Sequence, residues 1–199
     1  TIREALKRLA AKSLIRSRRG PAGGTFVNRP SQEDMADDLK SSVALMVSMG
    51  EFDLSDIAET RHELERVCAR LAAERRTDNE LDRMAVEIDI QKGPDLSDED
   101  FCASDVRFHR ALVDATHNPA MQFQMFTVIE ALQPVENLVI FQFRKRDKII
   151  RHHEDILQAI RERDQHGAEN AINEQMAYLR ERFAQAQVFQ IQDGKTANN

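Results

Sequence analysis

From residue 31 to residue 187 the apolar residues recur at spacings of three and four in one run after another, without the period of two that a half-buried strand requires. A chain patterned this way buries its apolar stripes by packing helices on one another, so a mainly α fold is expected. The runs predict helices at about 31–49, 53–76, 78–91, 97–116, 119–143, 146–164 and 167–187, joined at Gly50, Thr77, Gly93-Pro94, Asn118-Pro119 and residues 165–167. Asp53 with Asp56, and Ser97 with Asp98 to Asp100, put capping oxygens and negative charge at helix starts, where unpaired amides point outward. Seven Gly, five Pro and no Trp among 199 residues suit long helices better than a turn-rich β fold. The polar tail, 189–199, is expected to fray.

The opening residues follow another pattern. In TIREALKRLAAKS and the leucine after it, Ile2, Leu6, Leu9, Ala10 and Leu14 form one helical stripe, with Arg3, Lys7 and Lys12 off it. LIRSRR then reads as a short strand, GPAGG as a turn and TFVN as a second strand. Residues 1–29 hold eight Lys and Arg against one acid, a net of +7, so the remainder carries −13 of the total of −6. A basic head on an acidic body is expected where only the head meets a polyanion. Cys68 and Cys102 lie far apart without metal-site spacing and read as small core residues. With no apolar run of membrane-spanning length and no signal-peptide pattern, a soluble cytoplasmic protein is expected.

A helix that enters the major groove needs cationic and hydroxyl side chains at its start, which Thr1, Arg3 and Lys7 provide. Arg16, Arg18 and Arg19 precede the hairpin tip, where Gly23 and Gly24 permit close backbone approach to phosphates. The plain alternative is an amphipathic helix with a solvated basic face. The segment TIREALKRLAAKSLIRSRRGPAGGTFV resembles the end of a GntR-family reading head, in which a "T-V-R-E-A-L-x-x-L" helix is followed by a wing ending "G-G-T-F-V". The resemblance implies contacts from Arg3 to double-stranded operator DNA and a wing tip at Gly23, Gly24 and Thr25. Ser13 departs from it, standing where glycine is common. The family's preceding helices and first strand are not in this sequence, which suggests a truncated head.

Within DVRFHR, Asp105 and His109 are four apart and share a helix face. They can ligate a divalent ion together, or the carboxylate can simply orient the ring. Four segments in order, DIAETRHELERVCARLAA, DVRFHRALVDATHNPAM, HHEDILQAI and AENAINEQMAYL, resemble the FCD effector domain of FadR-like GntR regulators. The expected architecture is thus the C-terminal part of a winged helix-turn-helix over 1–29, an antiparallel bundle of six or seven helices over 30–188, and the tail. The resemblance implies a metal set of Asp105, His109 and His153 for zinc, nickel or manganese, with His152 as the alternative to His153. Gln175 stands at the fourth position, where metal-binding members carry a histidine, and an amide oxygen is a weaker ligand for zinc-like ions. It also implies that Arg61 meets an acidic effector, a guanidinium matching a carboxylate through two hydrogen bonds. The plain alternative for Arg61 is an i,i+4 ion pair with Glu65. Phe123, Met125, Phe126, Val128, Ile129, Leu132, Leu138, Ile140 and Phe141 read as core; the alternative is that some of them, with Val43, Leu45, Met46, Val47 and Met49, line a dimer interface or a pocket for a fatty ligand.

Three functions follow as expectations. The first is a homodimeric regulator, a repressor by the commoner family mode, in which a small organic acid in the bundle alters the grip of two reading heads on DNA. The second is a helical metalloenzyme using Asp105, His109 and His153, disfavoured by the lack of a general base beside the site. The third is a metal-free regulator that senses an acyl chain.

Overall fold

The computed structural model describes residues 1–28, 32–129 and 145–196. Helix α1 (Ile2–Ala11) is followed by an antiparallel hairpin of β1 (Ile15–Arg18) and β2 (Gly24–Val27), then by α2 (Gln32–Ser48), α3 (Leu54–Arg75), α4 (Asp78–Gln91), α5 (Asp98–Asp114), α6 (119–129), α7 (Arg146–Arg161) and α8 (Gln165–Thr196). The helices fall where the apolar spacing predicts them. The part of the predicted 119–143 helix beyond 129 lies outside the described residues. Helix α8 continues to Thr196, through most of the stretch expected to fray.

The ends of the helices explain their lengths. Asp53 accepts from the Ser55 amide at 3.0 Å to start α3, and Ser97 Oγ accepts from the Asp100 amide at 3.0 Å to start α5. Thr77 and Glu80 form a capping box on α4. Helix α1 ends with Ser13 N–H donating to Ala10 O and Leu14 N–H to Leu9 O, both at 2.9 Å, which requires a left-handed residue between them. Ser13 takes that conformation at φ 55°, which accounts for the glycine common in its place.

In the hairpin Arg16 pairs with Phe26, Ser17 with Thr25 and Arg18 with Gly24. A Cβ on Gly23 would lie 2.5 Å from the Arg18 carbonyl oxygen and 2.7 Å from that of Gly20, so only glycine closes this turn. No residue of α1 is buried, and the predicted stripe is open, with Ile2 82% exposed. Thr1, Arg3, Lys7, Arg16, Arg18, Arg19, Gly23, Gly24 and Thr25 are all exposed.

The core lies among α3, α4, α5, α7 and α8. Small residues on α3, Cys68, Ala69 and Ala72, admit its neighbours closely, and Met84, Phe101, Phe108, Leu112, Ile156, Ile160 and Ile172 fill the centre. Both cysteines are buried and unbridged, and burial, with Glu65 nearby, pushes the Cys68 thiol up to about 12. Met125 and Ile129 of α6 are core, as expected, whereas Leu45 of α2 and Met49 just after it are exposed. No described helix is long and apolar enough to cross a membrane.

The left-handed serine carries a conformational cost of about 1 kcal/mol. Ser13→Gly is therefore expected to slow hydrogen exchange of the α1 amides by about fivefold at constant pH, with bundle amides unaffected. Unchanged exchange in α1 would show that Ser13 is unstrained.

Candidate metal and effector site

Helix α5 turns one stripe inward: Phe101, Ser104, Asp105, Phe108, His109 and Leu112 are all buried. Asp105 and His109 thus enter the core together, one helical turn apart. Helix α7 delivers His153 from the same face as Ile149, Ile156 and Ile160, and α8 delivers Gln175 beside Ile172 and Met176. One ligand atom from each of Asp105, His109 and His153 lies within 4.8 Å of the others. His153 Nε2 is 3.3 Å from Asp105 Oδ1. Gln175 Nε2 is 3.3 Å from His109 Nε2 and 3.1 Å from His153 Nε2. The four residues predicted from the sequence therefore meet in one place. Arg61 reaches it through Glu65.

Each imidazole is held from behind. Glu65 of α3, fully buried, abuts His109 Nδ1 with Oε1 and accepts from Arg61 Nε with Oε2 at 3.1 Å. Burial alone would raise the Glu65 pKa, but His109 and Arg61 outweigh it and hold the carboxyl at about 2. An ionised carboxylate only accepts, so His109 turns a protonated Nδ1 to Glu65 and its Nε2 toward the cluster. His153 Nδ1 lies 2.8 Å from Gln91 Oε1, also an acceptor, which gives the second ring the same tautomer. Phe108 stacks on His153 with centroids 4.1 Å apart and planes 18° from parallel, fixing the ring's tilt. Two Nε2 lone pairs and a carboxylate aimed at one point, each imidazole backed by an oxygen acceptor, are a donor set that fits a divalent ion.

His152 lies outside this cluster. It is half-buried against the Tyr178 ring, 5.6 Å away between centroids, and burial lowers its pKa. Arg61 forms the i,i+4 ion pair with Glu65 that its spacing allowed, and it is 2% exposed. In the sequence Glu65 stands out only as the partner of Arg61, and Gln91 does not stand out at all. The available signal was a polar residue completing the buried stripe of Leu81, Met84 and Ile88 on α4.

A surface hollow of about 540 Å³, lined in part by Arg83, Glu87, Arg107, Asp114 and Phe126, shares no residue with the cluster. Arg83 is tied to Asp114 at 2.7 Å and Arg107 to Glu87 at 2.8 Å, so neither guanidinium is spare there.

A bundle that buries one convergent polar cluster, in a chain headed by an exposed cationic helix and hairpin, has the build of a ligand-sensing regulator. Residues 56–178 match the FCD domain family. The galactonate operon transcriptional repressor of Escherichia coli (strain K12) is 30% identical over 175 residues, covering 85% of this chain and 74% of that protein. The HTH-type transcriptional regulator LutR of Bacillus subtilis (strain 168) is 30% identical over 156 residues, covering 77% and 68%. Among solved structures, Streptococcus agalactiae GntR superposes with a TM-score of 0.61 at 24% identity, over 90% of this chain and 80% of that one, a likeness of fold. The chain belongs to the FCD-domain family of GntR-type transcription regulators. These relatives are named as regulators of transcription.

Glu65→Ala takes the shared acceptor away from Arg61 and His109 inside the core. It is expected to destabilise the bundle by about 3 kcal/mol in urea unfolding followed by circular dichroism. A midpoint equal to wild type would mean the chain from Arg61 to His109 carries no structural weight.

Proposed function

We propose that the chain acts as a homodimeric cytoplasmic repressor that grips double-stranded operator DNA with α1 and the hairpin. It senses a small carboxylic acid in the bundle through a divalent ion held by Asp105, His109 and His153. The observation that carries this reading is the convergence of the three donors within 4.8 Å, with both Nδ1 atoms already engaged by Glu65 and Gln91. Zinc, nickel and manganese suit imidazole and carboxylate donors. Bound there, such an ion offers a Lewis-acid contact to an effector carboxylate. Asp105 supplies the anionic donor, Glu65 and Gln91 keep the imidazole lone pairs turned inward, and Phe108 shields the ring of His153. Arg61 supplies a buried positive charge that favours an anionic effector. One relative is named for the operon of galactonate, a sugar acid, and as a repressor, which supports both the effector class and the sign of regulation.

For DNA, the support is electrostatic and geometric. Thr1, Arg3 and Lys7 lie exposed at and near the start of α1, and Arg16, Arg18 and Arg19 lead to the tip at Gly23, Gly24 and Thr25. Two-fold pairing of such heads would match a palindromic site, because one short helix reads too few bases alone.

Two measurements test the reading. Calorimetric titration with manganese or zinc is expected to give one ion per chain, weakened at least 100-fold by His109→Ala. Sugar acids or hydroxy acids are then expected to give heat only with the ion loaded, and silence with every acid in both states would contradict the effector claim. In gel shifts of the intact protein on the duplex upstream of its own gene, Arg3→Ala is expected to weaken binding about tenfold. Where Arg3 neutralises a phosphate, the same substitution lowers the salt slope by about one. No shift at low salt in either ligand state would contradict the DNA claim.

A further inference from the structure

A divalent ion on Asp105, His109 and His153 does not by itself account for how Gln175 lies. Its side chain is fully buried, and it is the amide nitrogen that faces the two imidazoles, at 3.3 and 3.1 Å from their Nε2 atoms. Its Oε1 is buried and has no hydrogen-bond partner among the described residues. The neutral Nδ1-protonated tautomer of each ring fits this orientation. In the neutral state, with Glu65 and Gln91 Oε1 accepting at Nδ1, each ring presents a lone pair at Nε2, and that of His153 also lies 3.3 Å from Asp105 Oδ1. An amide NH2 has two hydrogens to give to those two lone pairs, whereas an amide oxygen in that place would oppose acceptor to acceptor.

The geometry points to Gln175 as a built-in competitor for the ion: its NH2 caps both imidazole lone pairs in the metal-free bundle, and an ion binds only by displacing it. This rests on Asp105, His109 and His153 being the ion's ligands. An amide NH2 has no lone pair to offer a cation, and an ion about 2.0–2.1 Å from each Nε2 uses the same lone pairs that the two hydrogens occupy. The two states exclude each other. The amide therefore does two things at once: it satisfies two buried acceptors, so the bundle folds without metal, and it subtracts those hydrogen bonds from the affinity for the ion. A histidine at this position would do the reverse, adding a third imidazole to the donor set.

The test measures zinc affinity by competition with a chromophoric chelator, and thermal midpoints in EDTA, for wild type, Gln175→Ala and Gln175→His. Gln175→Ala is expected to bind zinc about tenfold more tightly than wild type. It should also melt lower in EDTA and gain more in midpoint when zinc is added. Gln175→His is expected to bind more tightly as well. A Gln175→Ala protein that binds zinc no more tightly than wild type, while Gln175→His binds it, overturns the competitor and leaves the ion site standing. Failure of all three proteins to bind zinc overturns the ion site and the competitor with it. In wild type, nitrogen-edited NMR provides a check independent of any substitution. The Gln175 side-chain NH2 signals should be protected from exchange in EDTA and should shift when zinc saturates, and signals unmoved at saturation overturn the proposal.

Discussion

The structure turns on a carboxylate that stays charged although its side chain is sealed from the surface. Removing a carboxylate from solvent costs several kcal/mol, and Glu65, at 0% exposure, is kept ionised by Arg61 on one oxygen and His109 on the other. That single group joins α3 to α5 and turns Nε2 of His109 toward the cluster. Gln91 does the same for His153 without a charge, and Phe108 sets the ring's plane. The apolar packing around them, from Met84 to Ile172, makes the interior dry enough for these few polar contacts to count.

Much of this was legible before any coordinates. The period of 3.6 fixed the number and approximate limits of the helices, because burying an amphipathic stripe leaves little freedom in how a helical segment begins and ends. Asp53 and Ser97 marked two starts through the amides they cap. Asp105 and His109 were paired by spacing, since four residues make one turn. His153 and Gln175 came only through family resemblance, because residues 44 and 66 positions from His109 have no local signal that they share a pocket. Glu65 and Gln91 were hidden for a related reason: a polar residue on a helix has the same pattern whether it faces solvent or props a buried ring. Which of His152 and His153 faces the cluster depends on helix phase, which boundaries uncertain by a few residues do not resolve.

The two ends of the chain obey different physics. The bundle is acidic outside and closed within, whereas the head carries +7 and buries nothing on α1, so its arginines remain available to a polyanion. Affinity for DNA in such a head comes largely from charge and depends steeply on salt. The polar contacts inside the bundle are short and buried, and salt barely reaches them. Any coupling between them has to pass through a change in helix packing, because the bundle is too densely filled to deform smoothly.

X-ray absorption at the zinc edge of the metal-loaded protein tests the central claim most directly. Coordination by His109, His153 and Asp105 predicts a first shell of nitrogen and oxygen near 2.0–2.1 Å with outer-shell scattering from two imidazole rings. A first shell with sulfur near 2.3 Å, or one of oxygen without imidazole scattering, would contradict it.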